Sequence, residues 1–221
     1  MEVWAVIVAG GRGTRFGQPK QYADLAGSRV IDRAVAAARP TCDGVVVVLP
    51  GPDVGTVAVP GADVVVPGGA TRSESVRAGI GAVPDGADVI VVHDAARPLA
   101  AAELWEAAVA AVVAGADAAV PGVAVIDTIK RVAHGAVVET LDRTELVAVQ
   151  TPQAFRAAVL RAAHRAGGEA TDDAALVEMT GGRVVVVVGD PDNLKVTRPA
   201  DLDQAAALVA RSTPAAGGPG R

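Results

Sequence analysis

A glycine-rich segment near the start of the chain combines backbone freedom with unbalanced positive charge. Residues 10–20 read GGRGTRFGQPK, and neither Asp nor Glu occurs between Val3 and Ala23. Glycine turns let backbone amides approach an anion closely, and the three cations attract it further within a chain whose net charge is −5. Phe16 replaces the third glycine of a dinucleotide fingerprint, and no Gly-Lys-Ser/Thr follows for a P-loop. The segment predicts a site for several phosphates; the alternative is an exposed loop without a ligand.

An acidic residue follows an apolar run farther along the chain. The run Val89–His93 leads directly into Asp94. Ligands of open α/β sheets bind beyond the carboxyl ends of the strands, so Asp94 is expected near the glycine-rich segment. Mg²⁺ prefers oxygen ligands and shares them with phosphates. Metal binding is therefore the favoured interpretation of Asp94, and capping of the next helix is the alternative.

A second glycine-containing segment follows another apolar run. Residues 68–76 read GGATRSESV and come shortly after Val64–Val66. Backbone amides here and the Ser75 hydroxyl are suited to contact a base or ribose. The same residues also predict an ordinary capping box, in which Thr71 and Glu74 begin a helix.

Lys195 is a further candidate for phosphate binding. It follows the run Val184–Val188 and is expected to approach the phosphates from the side opposite the glycine-rich segment. Thr171 is followed by two acids and an apolar run, a pattern typical of a helix N-cap at Thr171. The three histidines have no metal-ligand spacing, and no Ser/His/Asp or Cys/His arrangement is discernible. The sequence therefore does not indicate a covalent nucleophile.

The elements that must position these residues alternate along the chain. Strands are predicted at Val3–Ala9, Val45–Leu49, Val64–Val66, Val89–His93, Ala118–Val120 and Val184–Val188. Helices are predicted at Val30–Arg39, Arg72–Val83, Ala101–Ala114, Ala154–Ala166 and Pro199–Arg211. Near-continuous apolar strands suit a parallel sheet that is buried on both faces. The pattern predicts an open, doubly wound, mostly parallel sheet of the Rossmann-like α/β class.

Two stretches depart from this alternation. Residues 123–149 contain alternating segments around His134-Gly135, which predicts an inserted β-hairpin. This hairpin either reaches a partner subunit or caps the edge of the sheet. Residues 212–221 are rich in Pro, Gly and Ala and predict a disordered tail. Residues 1–211 would then form a single domain.

Composition limits the class of protein. The 221 residues are 51% hydrophobic, 20% charged and 2% aromatic, which fits one folded domain with an aliphatic core. The negative net charge argues against a general nucleic-acid binder. The lone Cys42 allows no internal disulfide and suggests a reducing compartment. Because the chain shows neither a signal-peptide pattern nor an apolar run of about 18 residues, a cytoplasmic protein without membrane contact is expected.

The ordered set of motifs resembles a known family. The motifs are Ala9-Gly10-Gly11 with Gly13 and Arg15, PKQ at 19–21, Gly69 with Arg72, Ser75 and Val76, HDAARP at 93–98, Asp127-Thr128, Asp142-Arg143, TPQ at 151–153, Thr171-Asp172 and KVTRP at 195–199. They resemble the 2-C-methyl-D-erythritol 4-phosphate cytidylyltransferases of the non-mevalonate isoprenoid pathway, over about residues 3–205. The resemblance implies that CTP and methylerythritol phosphate react, with Mg²⁺ or another divalent cation, to give the CDP-alcohol and pyrophosphate. It also implies a homodimer held by an exchanged β-arm, the role expected of residues 123–149.

The resemblance further implies roles for individual residues. Arg15, Lys20 and Lys195 would be catalytic, and Asp94 would bind the metal. CTP binding is expected at Ala9, Gly10, Gly11, Gly13, Gly69, Ala70, Ser75 and Asp94. Binding of the alcohol phosphate is expected at Asp94, Arg97, Thr128, Arg143, Thr171 and Lys195, with Thr128 and Arg143 supplied by the partner's arm. Ala70 stands where the family often has an acid, so only its backbone can serve there.

The chemistry of such a transfer fits the residue types. A phosphate monoester has a second pKa of about 6, so it is largely dianionic at neutral pH and needs no general base. The reaction instead needs cations to offset repulsion between anions and charge developing at the α-phosphate. Ribitol-phosphate or glycerol-phosphate cytidylyltransferase activity is the alternative within the enzyme class. A non-catalytic nucleotide sensor is the alternative outside it, and a dinucleotide-dependent oxidoreductase is more remote.

Overall fold

The computed structural model describes residues 1–10, 16, 19–168 and 170–212. The strands are β1 (Val3–Val8), β2 (Asp24–Leu25), β3 (Ser28–Arg29), β4 (Gly44–Leu49), β5 (Val64–Pro67), β6 (Val89–Asp94), β7 (Ala118–Ala124), β8 (Lys130–Ala133), β9 (Ala136–Thr140), β10 (Val147–Val149), β11 (Gln153–Arg156) and β12 (Val184–Val188). The helices are α1 (Val30–Ala38), α2 (Arg72–Gly81), α3 (Ala102–Val113), α4 (Ala157–Ala166), α5 (Asp173–Met179) and α6 (Pro199–Ser212), and short 3-10 turns cover Lys20–Tyr22, Gly51–Asp53 and Arg143–Glu145.

Within the described part of the chain, eight strands form one central sheet. Their order is β10-β7-β11-β6-β1-β4-β5, and β12 also pairs with β7. β1 pairs in parallel with β4 and β6, β4 with β5, and β7 with β12. β11 runs antiparallel between β6 and β7, and β10 is antiparallel to β7. The mostly parallel, Rossmann-like α/β prediction is confirmed, and the carboxyl ends of the parallel strands meet at one edge.

The sheet is buried on both faces, which explains its aliphatic strands. One face packs against α1 and α3 around Trp105, and the other against α2, α4 and α5 around Phe155. Both aromatic side chains are fully buried. A third, smaller cluster joins Leu25 and Val30 to Val196 and to α6. This cluster attaches the segment around Val196 to the segment that follows the glycine-rich loop.

The predicted helix over residues 154–166 is wrong at its beginning. The helix begins at Ala157, and residues 153–156 form β11 instead. Ala154 pairs with Val91 on one side and with Ala119 on the other. Two backbone ladders and burial of Phe155 outweigh the helical propensity of this alanine-rich segment. Because β11 is antiparallel, its beginning lies at the same edge of the sheet as the end of β6.

The inserted hairpin is present as predicted. β8 and β9 form a separate antiparallel pair, and His134 and Gly135 at the turn have φ angles of 50° and 80°. Positive φ at both central residues is the geometry of a tight hairpin turn, which glycine adopts without steric cost. Every residue of β8 and β9 is exposed. The hairpin therefore contributes little to the core of its own chain.

The predicted tail lies outside the described residues, apart from position 212, where α6 ends. Among the described residues, no helix is both long enough and apolar enough to span a bilayer.

Candidate active site

A cavity of about 390 Å³ opens at the edge of the sheet where the parallel strands end. It brings together eight of the residues expected to bind CTP or the reacting phosphates, from five separate segments. These residues are Ala9, Gly10, Lys20, Gly69, Ala70, Ser75, Asp94 and Lys195. The edge of an open α/β sheet where strands β1, β5 and β6 end is the place where such folds bind ligands.

A second cavity of about 250 Å³ shares one wall with the first. Arg97 and Thr171, both expected at the alcohol phosphate, line it. Asp94, Lys195 and Arg72 line both cavities. The shared wall is therefore where two ligands would meet, and it carries two cations and one carboxylate.

Five of the sequence-predicted residues are not among the described residues that line these cavities. Gly11, Gly13 and Arg15 lie outside the described residues. Thr128 and Arg143 lie on the arm, are exposed and line neither cavity, and an Arg143 guanidinium nitrogen donates to the Ile126 carbonyl. The arm of a single chain thus does not bring Thr128 and Arg143 to the cavities of that chain.

Asp94 is a largely buried carboxylate held between two cations. Lys195 Nζ lies 2.5 Å from Oδ2, and the Arg72 guanidinium lies 3.6 Å from Oδ1. Burial alone would raise the pKa of Asp94, but Lys195 and Arg72 outweigh it and lower the pKa to about 2. The carboxylate is therefore ionised at any pH at which the protein would work.

The backbone at Asp94 is fixed by a buried histidine. The Asp94 amide donates to Thr151 Oγ1 at 3.1 Å, and the Thr151 hydroxyl lies 3.1 Å from His93 Nδ1. The other ring nitrogen, Nε2, lies 3.0 Å from the Arg97 carbonyl. A neutral ring that donates from Nε2 and accepts at Nδ1 satisfies all three groups. Burial lowers the pKa of His93 to about 4, so this neutral form persists near pH 7.

The loop that carries Lys195 is tied to the same wall. Asn193 is fully buried and donates from its side-chain Nδ2 to the Thr151 carbonyl at 3.0 Å. The backbone carbonyl of Asn193 accepts from the Arg97 guanidinium at 2.6 Å. Lys20 Nζ donates to the Val196 carbonyl at 2.8 Å. Lys20 and Lys195, which are 175 positions apart in sequence, are thereby brought to the same cavity.

The segment around Gly69 makes the capping box that the sequence predicts. Thr71 and Glu74 form it, and Glu74 Oε2 also accepts from the Ala70 amide at 2.6 Å. The Gly69 amide donates to Ser75 Oγ at 3.2 Å. A Cβ on Gly69 would come within 2.3 Å of Glu74 Cβ, so only glycine fits. These amides bond within the loop, and a contact of this segment with the base stays a prediction.

The donors at the shared wall fit a magnesium ion better than a transition metal. No group of three or more His, Cys, Asp or Glu side chains that could hold a metal occurs in the ranges that the structure describes. Asp94 is a single ionised carboxylate that lines both cavities. Mg²⁺ is often bound by one or two carboxylates and completes its ligands with substrate phosphates and water.

Sequence reasoning gave no individual role to Arg72 or Asp172, although both line the second cavity. The structure also corrects the N-cap of α5: Asp172, and not Thr171, accepts the Ala175 amide. The capping pattern pointed to the correct helix but not to the correct residue. The sequence indicates a role for Arg72 only weakly, because it comes shortly after Gly68 and Gly69, at the first position of α2.

The fold and the shared wall define a class of protein. A Rossmann-like sheet with a glycine-rich first loop, cations from both ends of the chain and one carboxylate between two cavities is the arrangement of a nucleotidyltransferase.

Comparisons with known proteins give the family within this class. The model of the 2-C-methyl-D-erythritol 4-phosphate cytidylyltransferase family matches residues 3–211. The enzyme of that name from Rhodococcus jostii is 46% identical over 94% of this chain and 95% of its own length, and the one from Frankia casuarinae is 47% identical over 96% and 83%. The crystal structure of the Thermus thermophilus enzyme has a TM-score of 0.80 at 36% identity and covers 95% of this chain and 100% of its own. The chain belongs to the 2-C-methyl-D-erythritol 4-phosphate cytidylyltransferase family.

Proposed function

We propose that this chain transfers the cytidylyl group of CTP to the phosphate of 2-C-methyl-D-erythritol 4-phosphate and releases pyrophosphate. Membership of the family supports the reaction. The assignment of this reaction to particular residues rests on one observation: Asp94 and Lys195 lie on the wall shared by the two cavities and line both cavities. CTP would occupy the larger cavity and the alcohol phosphate the smaller one. As a CTP-dependent reaction it would take place in the cytoplasm.

The substrate phosphate attacks the α-phosphate of CTP in line with the departing pyrophosphate. The nucleophile is already a dianion near neutral pH, so the chain's task is to offset charge and to align the two phosphates. Lys195, which lines both cavities, would contact both phosphates; Lys20 would contact the triphosphate and Arg97 the substrate phosphate. Arg15, which lies outside the described residues, would join Lys20 at the triphosphate. His93 is buried and bonded at both ring nitrogens, so it does not act as a general base.

A magnesium ion or another divalent cation would be held by Asp94 together with the phosphates. When bound, it supplies positive charge against the triphosphate and the departing pyrophosphate. Asp94 suits this role because its low pKa keeps the carboxylate charged. In the structure Lys195 pairs with Asp94 at 2.5 Å, and this ammonium is free to move to a phosphate because its side chain is 44% exposed.

The arm would complete the substrate cavity of a second subunit in a homodimer. Thr128 and Arg143 would contact the alcohol phosphate bound by the partner. The exposure of apolar residues on and around the hairpin supports this assembly, because a soluble monomer rarely leaves such a patch uncovered. Ile126 is 81%, Val132 56% and Val137 60% exposed. We also propose that residues 1–211 form a single domain, from which residues 123–149 protrude as the arm.

Pyrophosphate release with CTP and a panel of alcohol phosphates tests the proposed function. We expect turnover with methylerythritol phosphate and at least a hundredfold lower kcat/KM with ribitol 5-phosphate and glycerol 3-phosphate. Asp94→Asn should abolish most of the turnover. Asp63→Asn, which changes a carboxylate paired with Arg39 at the opposite edge of the sheet, is the matched control and should be unaffected. Turnover of ribitol phosphate in place of methylerythritol phosphate would contradict the substrate, and CTP binding without turnover of any alcohol phosphate would indicate a sensor.

A further inference from the structure

A series of ion pairs and a hydrogen bond leads from the shared wall into the core. Arg72, the first residue of α2, has one terminal nitrogen 2.8 Å from Asp173 Oδ2 and the other 3.6 Å from Asp94 Oδ1. Asp173 is fully buried at the first position of α5. Its second oxygen, Oδ1, lies 3.1 Å from Nε2 of the buried His164 on α4. One guanidinium therefore bridges a carboxylate that faces the cavities and a carboxylate that does not.

The burial of Asp173 calls for an explanation other than packing or capping. A carboxylate without access to water costs several kcal/mol unless it is paired, and an apolar residue could replace a buried pair at little or no cost. Capping of α5 is already performed by the neighbouring Asp172. Asp173 lines neither cavity, so it does not contact a ligand directly. Its charged partner, Arg72, lines both cavities, and this is the connection to the reaction.

The electrostatic effect of Asp173 is visible at Arg72. Burial works against the guanidinium charge, but Asp173 and then Asp94 outweigh it, so the pKa of Arg72 is raised above its ordinary value. The guanidinium is planar and reaches two carboxylates in a fixed geometry, which a lysine ammonium cannot do. With Asp173 fixed by the core, the position of Arg72 is fixed too, and Arg72 restrains Oδ1 of Asp94.

We propose that Asp173, oriented by His164, is a positioning residue for the transfer reaction: it holds the Arg72 guanidinium between the two cavities, and Arg72 holds the Asp94 carboxylate. The inference rests on the proposed function, because its effect is expressed in the rate of cytidylyl transfer. Asp173 would affect the step in which both phosphates react more than the binding of either substrate. We therefore expect kcat to change and KM to change little.

A double-mutant cycle on kcat tests this inference. Asp173→Asn keeps the side-chain volume and removes the charge; it should lower kcat at least tenfold, with KM for CTP within about threefold of wild type. Arg72→Met should lower kcat at least as much. If Asp173 acts through Arg72, adding Asp173→Asn to Arg72→Met should cost less than twofold more. Losses that multiply in the double variant would overturn the inference, since Asp173 would then act independently of Arg72.

A second variant keeps the test decisive if Asp173→Asn does not fold. Arg72→Lys retains the charge at a side chain that is 29% exposed, but it cannot bridge two carboxylates. We expect it to fold and to lose at least tenfold in kcat, and a wild-type kcat would overturn the inference. Asp63→Asn is again the control. Wild-type protein that releases no pyrophosphate from CTP and methylerythritol phosphate would instead overturn the proposed function, and the inference with it.

Discussion

The wall around Asp94 and the arm, which contains the hairpin β8–β9, both carry residues that the family's reaction is expected to use, but they are held in opposite ways. Two side chains behind the wall, His93 and Asn193, are fully buried. The ring nitrogens of His93 bond to the Arg97 carbonyl and the Thr151 hydroxyl, and Asn193 donates to the Thr151 carbonyl. All nine residues of the hairpin strands are exposed, and their hydrogen bonds are mostly made within the hairpin. A single chain can thus preorganise the wall, whereas the hairpin gains a fixed position only by packing against something else.

This difference separates two kinds of functional residue. Residues of the wall act where their own chain places them, so their substitution should affect the reaction without any change in assembly. Residues of the arm should act only in the dimer.

The largest effect is expected at Lys195, which faces both cavities. Lys195→Met removes a cation that would offset charge in the transition state, and we expect kcat to fall by about 10²–10³-fold, or about 3–4 kcal/mol. The thermal unfolding midpoint should stay within a few degrees of wild type, because the side chain is 44% exposed. Steady-state kinetics and thermal denaturation check both statements. A variant that keeps more than a tenth of wild-type kcat would show that Lys195 is not at the reacting phosphates.

A smaller effect is expected from His93, which should make the free energy of unfolding depend on pH. Its pKa of about 4 in the folded state lies below the ordinary value of about 6.5, so the stabilisation is full above pH 6.5 and is lost as the pH falls towards 4. Between pH 7 and pH 5 this one residue should remove about 2 kcal/mol from the free energy of unfolding. Denaturant titration at both pH values and a fixed protein concentration measures the loss.

Two variants isolate the contribution of His93. His93→Gln should make the difference between pH 7 and pH 5 smaller by about 2 kcal/mol, because glutamine does not titrate. Val138→Thr on the arm, where the side chain is 57% exposed, should leave that difference unchanged. If His93→Gln shows the same difference in unfolding free energy between pH 7 and pH 5 as wild type, the buried His93 ring is not the source of that difference.

The features predictable from sequence are those with a local signal. The valine runs of β4 and β12 and the turn at His134-Gly135 have periodicity or turn chemistry that few alternatives share. β11 could not be predicted, because residues 153–156 have no strand pattern and pair only once β6 and β7 are in place. Local pattern therefore predicted the elements that have their own signal, but not a strand that forms only through its partners.

The same limit applies within the site. The glycine-rich segment, Asp94 and Lys195 each follow a strand run, so their convergence at one edge could be predicted from topology. The contact between Arg72 and Asp173 could not, since about a hundred residues separate them and Asp173 has the sequence pattern of an ordinary first-turn acid. Only the packing of α2, α4 and α5 on one face of the sheet reveals it.

Subunit mixing tests most directly the central claim, that the wall of one chain and the arm of another form one active site. Lys195→Met and Arg143→Ala proteins should each have little activity alone. After unfolding and refolding together in equal amounts, half of the dimers should be mixed, each with one site that has both Lys195 and the partner's Arg143. We expect about a quarter of wild-type activity in the mixture. Activity equal to the mean of the two inactive parents, from dimers shown to have exchanged subunits, would contradict a site shared between chains.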